Sequence, residues 1–142
     1  MGTGLYSLVA GLCLLLTFIL YMRMISSVVR SEKRDIYVSI MTIGMFYLGL
    51  DVLWGVIYDN LLPIPVPIQE IIYALYYASS ALLSYRWFAY VEYMQDSALY
   101  HNPKIRRITT IPMLFVVVVS VLSLWTNSFF YIDAQGAYVR GP

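Results

Sequence analysis

Apolar positions fall into four long blocks, about 5–29, 36–58, 66–91 and 108–125, separated by short polar stretches. Each block has roughly the 17–25 residues that an α-helix needs to cross a hydrocarbon core about 30 Å thick. The pattern predicts an all-α integral membrane protein with four transmembrane helices over residues 1–126 and a tail over 127–142. Only Met1-Gly2-Thr3-Gly4 precedes the first block, and Arg23 and Arg30 sit at its far end. That is the reverse of a secretory leader's charge bias, so the block reads as a retained helix. Leu12 before Cys13 does not suit a lipoprotein site, and Tyr6 stands where N-myristoylation wants Ser or Thr. Between the second and third blocks, Pro63, Pro65 and Pro67 forbid a helix interior and predict an extended strap, with Pro67 in the first turn of the next helix. In the tail, the turn signal Asp133-Ala134-Gln135-Gly136 between Phe129 to Ile132 and Ala137 to Val139 predicts a small hairpin.

Charge sets an orientation. The connection after the first block holds Arg30, Lys33 and Arg34, and the one after the third holds Lys104, Arg106 and Arg107. The N-terminal tail and the strap hold none, and the tail after Trp125 has only Arg140. Because positive residues are retained in the cytoplasm, both termini are expected outside it. Trp54, Tyr58, Trp125, Phe129, Phe130 and Tyr131 then form an outer aromatic belt, and Trp87, Tyr90 and Tyr93 an inner one. At 61% hydrophobic and 12% charged residues, against about 25% charged in soluble domains, a soluble reading is excluded. A net charge of +1 with no Lys/Arg run gives no reason for a nucleic-acid partner. Cys13, the single cysteine, cannot form an intramolecular disulfide and reads as a small buried hydrophobe.

Asp51 stands out, since intramembrane carboxylates are expensive and face protein or water. It lies about six residues, hence roughly 9 Å, before the outer end of its helix. Gly44, Tyr47, Asp51, Trp54 and Tyr58 share one stripe at spacings of three and four, and Glu70, Tyr73, Tyr77, Ser80 and Ser84 form a comparable stripe on the third helix. These faces are expected to meet, with Glu70 within about 5 Å of Asp51 along the membrane normal. Two carboxylates in a poorly hydrated site favour a proton, a cation or a positively charged ligand group. Asp51, Glu70, Tyr47, Trp54, Tyr73 and Tyr77 are therefore the ligand or proton candidates. Structural alternatives stand beside each: Asp51 bonding a tyrosine hydroxyl, Glu70 answering the dipole of a first helical turn, the tyrosines simply packing. Arg86 should lie roughly 19 Å deeper than Asp51, out of reach, as a snorkelling anchor. Ala74, Ala78 and Ala81 would permit close helix approach. His101 has no Cys or second His nearby, so no metal is implied. No P-loop, His-Glu-x-x-His, Gly-x-Ser-x-Gly or dinucleotide fingerprint occurs, so neither an enzymatic activity nor a cofactor is expected.

Three segments carry a resemblance: Leu50-Asp51-Val52-Leu53-Trp54, Tyr85-Arg86-Trp87-Phe88-Ala89-Tyr90, and Phe130-Tyr131-Ile132-Asp133 through Tyr138-Val139-Arg140-Gly141-Pro142. With these the chain resembles the N-terminal multi-helix sensor region of Firmicutes signalling proteins, especially membrane-bound GGDEF-domain diguanylate cyclases and some related sensor kinases. The resemblance implies further spans and a cytoplasmic output domain downstream. No Gly-Gly-Asp/Glu-Glu-Phe sequence or phosphoacceptor region is present, so this stretch cannot itself cyclise GTP. The expected function is a membrane signal-input module, the excised half of a longer receptor. Its partners would be the bilayer, other helices of a parent protein or further copies of the chain, and a small extracytoplasmic ligand. A small oligomeric transporter or channel protomer, and a noncatalytic assembly subunit, are the alternative expectations.

Overall fold

The computed structural model describes residues 3–26, 31–58, 64–97, 101–126, 130–132 and 138–140. Four helices account for nearly all of them: α1 (Thr3–Ile25), α2 (Glu32–Tyr58), α3 (Val66–Met94) and α4 (Pro103–Thr126). Two short strands follow, β1 (Phe130–Ile132) and β2 (Tyr138–Arg140). The helices hold 23, 27, 29 and 24 residues, roughly 34–44 Å at 1.5 Å per residue, each longer than the hydrocarbon core. By length and apolar composition, α1, α2 and α4 are able to cross a membrane. α3 is long enough but more polar, because Gln69, Glu70, Ser79, Ser80, Ser84, Arg86 and Glu92 interrupt it.

The helices run past the apolar blocks into polar flanks, since backbone hydrogen bonding continues wherever a terminus is capped. Ser31 accepts the Arg34 amide at 3.2 Å, as an N-cap, and Glu32 and Asp35 place negative charge in the first turn of α2. The Arg34 guanidinium donates to the Ile25 carbonyl at 3.2 Å, tying the end of α1 to the start of α2. Pro67 occupies the opening turn of α3 as expected, and Gln69 donates to the Ile64 carbonyl at 2.8 Å. α3 ends at Gln95, followed by Asp96 in the left-handed region (φ 51°), a position that Asp tolerates. Asn102 accepts the Lys104 amide at 3.0 Å, and Pro103 starts α4 five residues before the apolar block begins. Val29, Arg30, residues 59–63 of the proline strap and residues 133–137 of the tail's turn lie outside the described residues.

Among the described residues the helices pack in sequence order, α1 on α2, α2 on α3 and α3 on α4. Each neighbour is antiparallel. Tyr6, near the start of α1, reaches Asp51 and Trp54 near the end of α2. Tyr37 meets Tyr90, and Tyr47 meets Tyr76, while Tyr85 accepts a 2.9 Å hydrogen bond from Thr110. α1 and α4 therefore stand at the edges of a row, with long apolar faces exposed. Cys13 is on such a face and is exposed, contrary to the buried placement expected from composition. An edge helix covers only one side, and hydropathy alone does not say which.

β1 and β2 pair antiparallel, Phe130 opposite Arg140, Tyr131 opposite Val139 and Ile132 opposite Tyr138, so the expected hairpin is present. A two-stranded hairpin this short needs a surface to pack on. β1 finds it against the neighbouring ends of α3 and α4. Phe130, only 1% exposed, packs with Tyr73 and Ala74, and Trp54, Tyr77, Leu124 and Ile132 surround them.

Candidate functional site

The end of the row that carries the hairpin also gathers the aromatic residues of three helices. Tyr6, Trp54, Tyr73, Tyr76 and Tyr77 line a cavity of about 180 Å³. Tyr6 and Trp54 meet edge to face with centroids 5.6 Å apart. Tyr76 stacks on Tyr47 at 5.0 Å, with their hydroxyls 2.9 Å apart, and stands edge-on to Tyr77 at 5.7 Å. Phe130 closes over Tyr73 and Tyr77, at 5.9 and 5.6 Å. Such offset and perpendicular arrangements are the favoured ones for rings, whose faces are negative and edges positive.

Behind the Tyr6 wall lies Asp51, 7% exposed. The Tyr6 hydroxyl donates to its carboxylate at 2.7 Å, within the range of a charge-assisted hydrogen bond. Among the described residues no Lys, Arg or His forms an ion pair with it; the ion pair of His101 with Asp96 at 2.7 Å lies beyond the opposite end of α3. Buried carboxylates are normally compensated by a cation or a full set of donors. Asp51 has a phenol.

Five of the six candidate residues named from the sequence gather here: Asp51, Tyr47, Trp54, Tyr73 and Tyr77. The sixth, Glu70, is half-buried early on α3 and does not line the cavity. Tyr6 and Tyr76 were missed. Tyr6 sits near the N-terminus of an apolar block with no charge to mark a polar face, and only the antiparallel pairing of α1 with α2 brings it to Asp51. Asp51 does bond a tyrosine hydroxyl, the structural alternative set out above, but the hydroxyl comes from α1.

The expected meeting of two stripes is only half realised. The α3 residues that face α2 are Tyr76, Leu83 and Tyr90, opposite Tyr47, Gly44 and Tyr37 respectively. Ser80 and Ser84 turn instead toward α4. With Tyr77, Ala81, Tyr85, Phe88, Thr109, Pro112, Met113 and Val116 they line an open, mainly apolar groove of about 540 Å³. Residue spacing fixes which side chains share a face. The rotation of that face about the helix axis is decided by packing on both neighbours. Of the alanines, Ala74 is buried under Phe130, Ala81 lines the α4 groove and Ala78 is half-buried, while Arg86 is exposed.

A buried hydroxyl fastens the hairpin to α4. Ser123 of α4 donates to the Phe130 carbonyl and accepts the Phe130 amide, both at 3.0 Å. This satisfies the backbone of the residue whose ring packs on Tyr73 and Tyr77, two residues that line the cavity.

No protein-family model matches this chain, and neither a curated protein nor a solved structure shows significant similarity to it.

Proposed function

We propose that the chain is a membrane signal-input module that reports occupancy of the Asp51 cage to the C-terminal hairpin. The observation that carries this reading is a buried carboxylate whose hydrogen-bond donor among the described residues is Tyr6, which lines the cavity, while Phe130 of the hairpin stacks on Tyr77, another residue of the lining. An occupant that spreads Tyr73 and Tyr77 changes the seat of Phe130. It can shift the hairpin only by binding the two arrangements with different affinity. In this reading α3 is a fourth span, the cage lies toward the outer face of a bacterial membrane, and the hairpin leads toward a GGDEF or kinase output domain in a longer parent.

Burial or hydrogen bonding of part of α3's polar surface supports the fourth span. Tyr73 and Ser79 are buried, and Tyr76 and Tyr85 hydrogen-bond to neighbouring helices, so lipid does not have to solvate them. Cysteines introduced as Ser31→Cys and His101→Cys, in a Cys13→Ser background, test it in intact cells. Four spans put both on the cytoplasmic side, shielded from an impermeant thiol reagent. If α3 does not cross, the two sites label from opposite sides and the four-span reading falls.

The input function is tested by amide hydrogen exchange at residues 130–132 and 138–140 in nanodiscs. A panel of protons, alkali-metal ions, amines and neutral amino acids provides the occupants. The expected result is a change of roughly 5–150-fold in hairpin protection with at least one occupant, the usual range of coupling between sites. Asp51→Asn should abolish the response while leaving unliganded protection close to wild type. A wild-type hairpin indifferent to the whole panel, or an undiminished response in Asp51→Asn, would end the proposal.

A further inference from the structure

Resting on the reading of the Asp51 cage as the input site, we propose that its ligand is a small organic cation bearing a methylated ammonium group, held by cation–π contact with the ring faces. Asp51 places a carboxyl group at a buried position with no cationic side chain paired to it among the described residues. Its hydrogen bond from Tyr6 polarises that phenol, so electron density is drawn onto the ring and oxygen that form the cage wall. Five aromatic side chains from α1, α2 and α3 surround the space. Trp and Tyr are the better cation–π partners, acting within about 6 Å of a ring centroid.

Size restricts the ligand further. At about 180 Å³ the cavity lies below the roughly 300–1,000 Å³ of sites for drug-sized molecules. It has room for about six waters at ~30 Å³ each, which suits a compact head group. Hydrogen-bonding capacity then selects among cations. The cavity is lined by aromatic rings, with phenol oxygens as its polar atoms, and the Tyr6, Tyr47 and Tyr76 oxygens already take part in hydrogen bonds to Asp51 and to each other. A primary ammonium would bring three donors, each needing an acceptor; a tetraalkylated nitrogen brings none. A metal ion fits less well still. Hard cations require about six or more oxygen ligands, and no cluster of three or more His, Cys, Asp or Glu occurs among the described residues.

A methylated ammonium group could come from a free solute or from the head group of a choline lipid, and the same recognition serves both. Tyr6, the α1 residue of the lining, is 44% exposed.

Trp54, which lines the cage, provides the readout. Titration with choline is followed by Trp54 fluorescence in the Trp87→Phe/Trp125→Phe chain, in nanodiscs of phosphatidylglycerol. The neutral tert-butyl analogue, carbon replacing nitrogen, is the matched control. The expected result is saturable choline binding at least about tenfold tighter than the analogue. Asp51→Asn should erase that preference, and Tyr6→Phe, which keeps the ring, should reduce it severalfold. Tyr6→Phe also guards against an Asp51→Asn chain that fails to fold. Adding phosphatidylcholine to the nanodiscs separates the sources: suppression of choline binding identifies the lipid head group, and unchanged binding identifies the free solute. Equal affinity for choline and its analogue would show an apolar pocket and overturn the inference, as would absence of choline binding in both lipid compositions. In either case a hairpin that still responds to another occupant through Asp51 leaves the input function standing, so the two failures are distinguishable.

Discussion

Phe130→Ala is expected to release the hairpin from the helices. The ring is 1% exposed and touches Tyr73 and Tyr77, two walls of the cage. Truncating a buried phenylalanine typically costs about 3–5 kcal/mol, from lost transfer energy and the cavity left behind. A pair of three-residue strands has no stability of its own to offset that loss. The helices retain their own contacts and should persist. Exchange protection at 130–132 and 138–140 should therefore fall roughly a hundredfold to a few thousandfold, at about 1.4 kcal/mol per factor of ten, with little change in the middle of α2 and α3. Ser123→Ala, which removes the two backbone hydrogen bonds but keeps the ring, should move protection in the same direction by less, about 1–3 kcal/mol. Unchanged protection in Phe130→Ala would show that the hairpin is held elsewhere and would remove the route from cage to output.

Gly55→Leu is expected to push α1 off the rest of the protein. A Cβ at Gly55 would run into the Ser7 side chain and would come within 3.6 Å of the Ser7 backbone, so the two helices meet here at a distance that only glycine permits. Overpacking of this kind costs about 1–3 kcal/mol. Among the described residues, α2 is the element on which the α1 backbone packs, so displacement of α1 is opposed chiefly by that contact. Displacement carries Tyr6 away from Asp51 and Trp54, leaving the carboxylate without its donor and opening the cage. Trp54 emission in the Trp87→Phe/Trp125→Phe background should shift, and thermal stability in detergent should drop, with Gly55→Ala intermediate. Wild-type emission and stability in Gly55→Leu would mean that the α1–α2 approach does not build the site.

These two positions also mark where sequence reasoning stops. Gly55 looks like any glycine in an apolar run, and its importance depends on Ser7, 48 residues away in the chain. Phe130 reads as a belt aromatic, and nothing local says that its ring turns inward over Tyr73 and Tyr77. Asp51 was legible because a carboxylate within an apolar block violates the local pattern, whereas its partner Tyr6 breaks no rule of its own block. Glu70 was placed beside Asp51 from its depth along the helix, a coordinate that ignores rotation about the axis. The rotation actually adopted seats Tyr76, Leu83 and Tyr90 on α2 and leaves Ser80 and Ser84 facing α4.

The sequence by itself determined the all-helical architecture, the approximate extent of the four helices, the capping at Pro67, the terminal hairpin and the singular position of Asp51. Each is a property of a contiguous segment: length against bilayer thickness, backbone dihedral restriction, or the cost of a charge among apolar neighbours. Tertiary structure alone decided that α1 donates the hydroxyl to Asp51, that five rings from three helices line one cavity, and that Phe130 packs on two of them. Those facts depend on helix rotation and on the distance of closest approach. Both are set by side-chain packing between segments far apart in the chain, which no local pattern encodes.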